Sequence, residues 1–179
     1  MLHNISIDIE TYSSVDIKKS GLYKYVQSDD FEILLFAYSL DNAPVRIVDL
    51  TTGDSVSEYI VHLMFSSDCI LHAYNAAFEW YCLSKHFGLS ADQRAQWLSK
   101  WHCTMLHGLY CGFPGGLAAV GEALGLPQDK KKMGIGKALI NYFCKPCKPS
   151  SANGNRMRNL PHHAPEKWDL FKTYCVQDV

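Results

Sequence analysis

The first residues that could do chemistry are Asp8 and Glu10, two positions apart near the start of the chain. Residues 4–9 alternate between polar and apolar side chains, which predicts a β-strand. Residues two apart on a strand point to the same side, so both carboxylates leave the sheet together. They repel each other unless a cation lies between them, and a hard divalent ion such as Mg²⁺ prefers oxygen ligands of this kind. A polar strand end often carries acids as well, so the pair alone leaves both interpretations open.

A further carboxylate follows a later apolar segment. Residues 69–74 predict another buried strand, and Asn75 then predicts the N-cap of a helix that runs to Phe87. Glu79 falls in the first turn of that helix, near the end of the preceding strand. Because the helix dipole favours acids in a first turn, this position also has a purely structural explanation.

The third combination is Tyr174 with Asp178, close to the end of the chain. Pro165 predicts the first turn of a last helix. Residues four apart on a helix share one face, so the hydroxyl and the carboxylate would project side by side. A tyrosine at the edge of the core beside a solvated aspartate would show the same spacing.

Positive charge is concentrated in residues 130–165, which contain no Asp or Glu. The cations in this segment are Lys130, Lys131, Lys132, Lys137, Lys145, Lys148, Arg156 and Arg158. A solvated basic loop explains this composition. A phosphate-binding surface explains it too, because clustered cations attract polyanions.

The rest of the chain supplies the elements that must position these residues. Apolar runs predict strands at 31–40 and 45–50, and the polar-apolar stretch at 14–26 predicts one or two helical turns. Helical spacing predicts helices at 55–65, 104–111, 117–124 and 137–143. Residues 144–165 are rich in Pro, Ser, Asn, Gly and His, which predicts a long irregular loop. Strands alternating with helices predict one α/β domain over residues 1–179.

Composition fits that single domain and excludes some partners. Hydrophobic residues make up 47% of the 179 residues, enough for a sizeable core, and the formal net charge of −1 indicates no partner. The seven cysteines are an odd, scattered set, which fits reduced thiols in the cytoplasm better than a disulfide framework. No run of about 18 apolar residues is present, so we expect no membrane partner.

Taken together, the three motifs resemble the DEDD superfamily of 3′→5′ exonucleases, in the subgroup with a tyrosine in its third motif. That family carries Asp-x-Glu on its first strand, Asn-x-x-x-Asp after a later strand and Tyr-x-x-x-Asp on a late helix. The resemblance spans essentially the whole chain and is closest to the proofreading domains of phage family A DNA polymerases. It is carried by SIDIETYSSVDIKKSGLYKY, FEILLFAYS, the Asn-Ala-Ala-Phe-Glu stretch and RNLPHHAPEKWDLFKTYCVQDV. It implies a ribonuclease H-like α/β fold, with a mixed five-stranded central sheet flanked by helices.

The resemblance also implies a division of labour among the site residues. Asp8 would bridge two divalent cations, Mg²⁺ or Mn²⁺, while Glu10 and Asp178 would bind the first of them. Tyr174 would hydrogen-bond the attacking water. Glu79 stands where the family usually has Asp, and its extra methylene moves the carboxylate outward. It would support the second metal through another rotamer, or it would weaken that metal.

Contacts with the substrate follow from the same resemblance. Thr11 matches a position where the family contacts the terminal nucleotide, and Asn75 is a further candidate besides its predicted role as a cap. With the site assigned, phosphate binding becomes the better interpretation of the basic segment. The predicted nucleic-acid contacts are Thr11, Asn75, Lys130, Lys131, Lys132, Lys137, Arg156 and Arg158.

The sequence therefore predicts a two-metal 3′→5′ exonuclease that releases nucleoside monophosphates from the 3′ ends of single-stranded DNA. The chain stops one residue after Asp178, so we expect a fragment whose polymerase domain lies in the same parent chain, a cytoplasmic phage or prophage protein of a bacterial host. Two alternatives stay open. One is a stand-alone exonuclease that acts on RNA, and the other is a non-catalytic nucleic-acid-binding domain with a decayed site.

Two other patterns are weaker. Cys144 and Cys147, with His162 and His163 downstream, have ligand types and a spacing that zinc tolerates, but the flanking prolines and the lone pair of cysteines make this signal weak. The glycines before Lys137 lack the full phosphate-loop pattern and a preceding strand, which argues against binding of a nucleoside triphosphate.

Overall fold

The fold is built on a mixed sheet of five strands. The structure, a computed structural model, describes residues 1–127 and 134–179. The strands are β1 (His3–Tyr12), β2 (Glu32–Leu40), β3 (Arg46–Asp49), β4 (Cys69–Ala73) and β5 (Trp101–Cys103). Their order is β3-β2-β1-β4-β5, with β2 antiparallel to β1 and β3, and β4 parallel to β1 and β5. The predicted α/β class with a mixed five-stranded sheet is confirmed.

Eight α-helices surround the sheet within the described ranges. They are α1 (Ile17–Val26), α2 (Glu58–Phe65), α3 (Ala77–His86), α4 (Ala91–Leu98), α5 (Thr104–Tyr110), α6 (Leu117–Ala123), α7 (Gly136–Phe143) and α8 (Pro165–Asp178). The helices expected from their spacing are confirmed, and Pro165 begins α8 as predicted. The sequence did not predict α4 or β5. None of the helices in residues 1–127 and 134–179 has the length and apolar character needed to cross a bilayer.

The central strand β1 separates two hydrophobic clusters. Its isoleucines pack with α2 and α3 on one face of the sheet, while α7 and α8 pack in the other cluster. Asp8 lies opposite Ala37 of β2, and Glu10 lies opposite Leu35. Residues directly opposite each other in an antiparallel pair share a face, and Leu35 and Ala37 belong to the second cluster. Both carboxylates therefore face the side covered by α7 and α8.

Helix α8 is fixed to that face by large buried side chains. Trp168, Phe171, Tyr174 and Cys175 are buried at helical spacing, and they form one stripe along α8. The Trp168 indole N–H also donates to Asp49 Oδ2 at 2.6 Å. Burying each large side chain of this kind contributes about 1.5–3 kcal/mol. The last helix is thus held against the sheet by its core face, which sets the direction of its remaining side chains.

Residues 144–165 form the irregular connection that the sequence predicted. It contains two short 3-10 turns, Ser151–Asn153 and Pro161–His163. Arg158 fixes it to the sheet, because its guanidinium pairs with Glu32 and lies 3.8 Å from the ring centroid of Tyr12. The connection is thereby ordered along the same side of the sheet as α7 and α8.

Candidate active site

Asp8 and Glu10 enter the site from β1, and each accepts a hydrogen bond from a buried thiol. The Cys144 thiol donates to Glu10 Oε2 at 3.7 Å, and the Cys175 thiol donates to the backbone carbonyl of Asp8 at 3.8 Å. The strand register shifts directly after Glu10, and the side chain of Glu10 is only 8% exposed. The first motif therefore lies at the boundary between the core and a cleft, as the strand pattern predicted.

Asn75 is not the N-cap of α3, so that prediction is wrong. The cap position is Ala76, and no side chain caps this helix. Asn75 has a φ of 68°, a left-handed conformation that Asn adopts more readily than most residues. Its backbone carbonyl accepts a hydrogen bond from the N–H of Phe78 at 2.9 Å. The chain thus turns tightly from β4 into α3 through Asn75 itself, which leaves this residue exposed beside the cleft.

Glu79 lies in the first turn of α3, as predicted, and is almost completely buried. Its side chain is 3% exposed. Burial, followed by the nearby charge of Asp8, raises the pKa of the Glu79 carboxyl well above its usual range. Among the described residues, Glu79 Oε2 is a buried oxygen with no hydrogen-bond partner. Such an oxygen needs either a proton or a cation to offset the cost of its burial.

Tyr174 and Asp178 approach the same acids from α8. Burial is the largest cause that raises the pKa of the Tyr174 hydroxyl. The charges of Asp178, Glu10 and Asp8 raise this pKa further, and so does the hydrogen bond from the hydroxyl to Asp178. Tyr174 and Asp178 lie one turn apart on α8 and interact with each other, so the shared helix face predicted from their spacing is confirmed. The Tyr174 hydroxyl keeps its proton at neutral pH, as an ordinary tyrosine does, and can donate a hydrogen bond.

These residues border one cleft of about 870 Å³. The cleft brings together three segments that are distant in the sequence, namely β1, the start of α3 and the end of α8. The predicted site residues along it are Asp8, Glu10, Thr11, Asn75, Glu79, Tyr174 and Asp178. The hydroxyl of Thr11 forms a hydrogen bond of 2.7 Å with the hydroxyl of Tyr25, and this bond holds Thr11 in the wall of the cleft.

Four lysines also line the cleft, and none of them was among the predicted contacts. Lys145 and Lys148 come from the basic segment, whereas Lys18 and Lys19 come from the start of α1. The adjacent lysines shortly after the first acidic motif were the only sequence signal for this second pair. With Asp16, five acids and four lysines line the cleft, so it offers carboxylates for cations and ammonium groups for phosphates.

Three other predicted nucleic-acid contacts, Lys137, Arg156 and Arg158, do not line the cleft. Lys137 is exposed on α7 and does not line the cleft. Arg156 bonds Asn159 Oδ1 at 2.8 Å, and Arg158 pairs with Glu32, so both guanidinium groups already have partners within the protein. Lys130, Lys131 and Lys132 fall outside the described residues. Contact of these six residues with nucleic acid stays a prediction.

The donor set of the cleft suits a hard divalent cation. In residues 1–127 and 134–179, no three His, Cys, Asp or Glu side chains already form a group that could hold a metal ion. The residues that border the cleft nevertheless present carboxylate oxygens, and Glu79 Oε2 is buried without a partner among the described atoms. Mg²⁺ and Mn²⁺ prefer such oxygens. The residues of the cleft therefore fit a divalent cation, although they do not form a closed cage around such an ion.

Zinc ligation by the cysteines of the irregular connection finds no such support. The Cys144 thiol faces Glu10, and the Cys147 thiol donates to the backbone carbonyl of Arg156 at 3.3 Å. The ring of His163 accepts a hydrogen bond from the N–H of Leu160 at 2.8 Å. These side chains already have hydrogen-bond partners within the protein.

The chain is related to a viral polymerase. It is 51% identical over 178 residues to a DNA polymerase of Bacillus phage SP02, an alignment that covers 99% of this chain and 26% of that protein. The chain thus spans about a quarter of the length of this curated relative. No protein-family model matches the sequence.

Solved structures give likenesses at the level of the fold. The family B DNA polymerase of the archaeon Pyrobaculum calidifontis aligns with a TM-score of 0.51 and 15% identity, over 99% of this chain and 23% of that one. One chain of the structure of the yeast NOT1 MIF4G domain co-crystallized with CAF1 aligns with a TM-score of 0.47 and 13% identity, over 70% of this chain and 69% of that one. The first likeness supports an α/β arrangement that also occurs within a DNA polymerase.

Proposed function

We propose that this chain is a 3′→5′ exonuclease that removes nucleoside monophosphates from single-stranded DNA and serves as the proofreading part of a phage DNA polymerase. One observation carries the proposal. Four acids and a tyrosine from three distant segments border a single cleft, with the buried Glu79 beside Asp8. The relationship to a phage DNA polymerase supports DNA as the substrate class. We also propose a ribonuclease H-like fold, which the strand order and the central acidic strand support.

Asp8, Glu10, Glu79 and Asp178 would hold two Mg²⁺ or Mn²⁺ ions in this cleft. When bound, such a pair of ions supplies an acidified water and neutralises charge on the leaving 3′-oxygen. Glu79 joins this set as a buried carboxyl beside Asp8, and it keeps the charge of the aspartate that it replaces. The longer side chain of Glu79 changes only the position of that negative charge.

The remaining groups would bind and orient the substrate. Tyr174 keeps its proton and hydrogen-bonds Asp178, so it can position a water without acting as a base. Thr11 lies in the cleft wall beside the first acidic motif, where it can contact the terminal nucleotide. Lys145 and Lys148 border the same cleft and can contact phosphates further along the strand.

A 5′-labelled single strand incubated with Mn²⁺ or with EDTA tests the proposal. We expect a descending ladder of products with Mn²⁺, no ladder with EDTA, and loss of the ladder in Asp8→Ala. Asp92→Asn is the matched control, because Asp92 is exposed in the first turn of α4 and does not line the cleft. Metal-dependent degradation that persists unchanged in Asp8→Ala would refute the site.

The same assay separates the two alternatives. DNA and RNA oligonucleotides of one sequence should show faster degradation of DNA, whereas a preference for RNA would support a stand-alone ribonuclease. Salt-dependent binding without any cleavage in Mg²⁺ or Mn²⁺ would support a binding domain with a decayed site. The departure at Glu79 is the observation that makes this last alternative worth testing.

A further inference from the structure

The first residue of α7, Gly136, lies in direct contact with the ring of Tyr174. A Cβ atom placed on Gly136 would lie 2.6 Å from Cζ of Tyr174 and 2.9 Å from its Cδ2, and closer still to Cε2. Separations below 3.0 Å do not occur for real Cβ atoms, so the backbone of α7 can approach the ring this closely only without a side chain. The requirement for glycine is one of space, because Gly136 is not among the residues with positive φ.

The ring of Tyr174 cannot easily move aside. Tyr174 is 3% exposed, and its ring stacks on Phe171 with an interplanar angle of 11°. Phe171 is itself fully buried and stacks on Phe143 of α7. The ring is therefore confined between the α7 backbone and the aromatic core, and any displacement would also move the hydroxyl that bonds Asp178.

We propose that Gly136 is a positioning residue, which sets the place of the Tyr174 hydroxyl by letting the start of α7 lie directly against its ring. This inference rests on the proposed function, because Tyr174 is assigned there to the attacking water. Helix α7 also ends at the site, where its C-cap residue Cys144 donates to Glu10. One short helix thereby touches a proposed catalytic group at each of its ends.

Gly136→Ala tests the proposal, with Gly134→Ala as the matched control. A Cβ on Gly134 would meet nothing within 4 Å, and this glycine stands only two residues before Gly136 in the same segment. Misplacing a reacting group by a fraction of an ångström to 1 Å costs about 10- to 100-fold in rate. We expect kcat of Gly136→Ala to fall by that amount with KM nearly unchanged, while Gly134→Ala behaves as the parent does. Parental kcat in Gly136→Ala would overturn the proposal.

A double-mutant cycle with Tyr174→Ala isolates the contact. Removing the ring removes the obstruction, so Gly136→Ala should change neither kcat nor the unfolding midpoint further when Tyr174 is already Ala. The unfolding midpoint is measured in EDTA, which tests the contact independently of metal and of activity. If Gly136→Ala fails to fold, the double variant should recover folding to the level of Tyr174→Ala alone. Failure of both variants to fold, or full additivity of the two changes, would contradict the proposal.

The outcomes separate this inference from the proposed function. If the parent protein shows no metal-dependent ladder, the exonuclease assignment fails, and the stability cycle still reports on the contact. If the parent is active and Tyr174→Ala is impaired while Gly136→Ala is not, the exonuclease assignment stands and the positioning role of Gly136 is wrong.

Discussion

Glu79, from the first turn of α3, lies buried beside Asp8, from the central strand β1. Burial and the charge of Asp8 together raise the pKa of the Glu79 carboxyl. Two acids held in this way destabilise the folded protein when both are ionised, and a divalent cation between the acids would relieve that cost. The pair therefore links the stability of the fold to the occupancy of the site.

In the metal-free protein, the contribution of Glu79 to stability should fall as the pH rises. An acid whose folded-state pKa lies above its unfolded value of about 4.3 contributes its full stability below that value and loses it as the pH climbs through the folded pKa. Each unit by which the pKa is raised corresponds to about 1.4 kcal/mol. Denaturant unfolding in EDTA should show this loss as a stability difference between the parent protein and Glu79→Gln that changes above about pH 4. Parallel pH profiles for the two proteins would contradict the argument.

Glu79→Asp should leave nuclease activity measurable, and Glu79→Ala should reduce it far more. Aspartate keeps the charge beside Asp8, whereas alanine removes a carboxylate from the cleft. The measurement is the rate of ladder formation at saturating Mn²⁺, with Glu166→Asp as the control, because Glu166 is exposed in the first turn of α8. Equal rates for Glu79→Ala and the control would show that Glu79 takes no part in the reaction.

Tyr174→Phe should lower kcat by about 10- to 100-fold with little change in KM, because the ring stays in place while the group that orients the water is lost. Tyr110→Phe is the matched control, since Tyr110 is 95% exposed on α5 and outside the cleft. Steady-state cleavage rates over a range of labelled-strand concentrations give both constants. A fall confined to KM would argue that Tyr174 binds substrate and does not orient the nucleophile.

Lys145→Ala and Lys148→Ala should each weaken binding of single-stranded DNA more than Lys137→Ala does. The first two lysines line the cleft, and Lys137 is exposed outside it on α7. Each lost phosphate contact should reduce the slope of log affinity against log salt by about 0.7. Fluorescence anisotropy in EDTA over a range of salt concentrations measures these slopes. The account of the cleft is wrong if Lys137→Ala has the largest effect.

Much of the fold could be predicted because its longer elements have clear periodicity. The alternation before Asp8 identified β1, and the spacing of Tyr174 and Asp178 placed them on one face of α8. Helix α4 was missed because Trp97 is its only buried residue, so it shows almost no apolar stripe. Strand β5 was missed because its three residues are too few to show a period.

Other features depend on tertiary contacts that no local pattern reveals. Asn75 has the composition of an N-cap, but the tight turn from β4 into α3 places it in a left-handed conformation before the cap. Gly136 resembles any loop glycine in the sequence, and its role depends on the ring of Tyr174 lying against it. The thiol of Cys144 beside Glu10 is likewise visible only once α7 has packed on the sheet.

The most direct test of the central claim is an anomalous difference map from crystals of this chain grown with Mn²⁺. We predict two peaks about 4 Å apart within the cleft, the separation of paired ions in two-metal sites. Each peak should be in bonding contact with carboxylate oxygens, and together they should engage Asp8, Glu10, Glu79 and Asp178. Strong Mn²⁺ peaks elsewhere on the protein, with none between these four acids, would contradict the account.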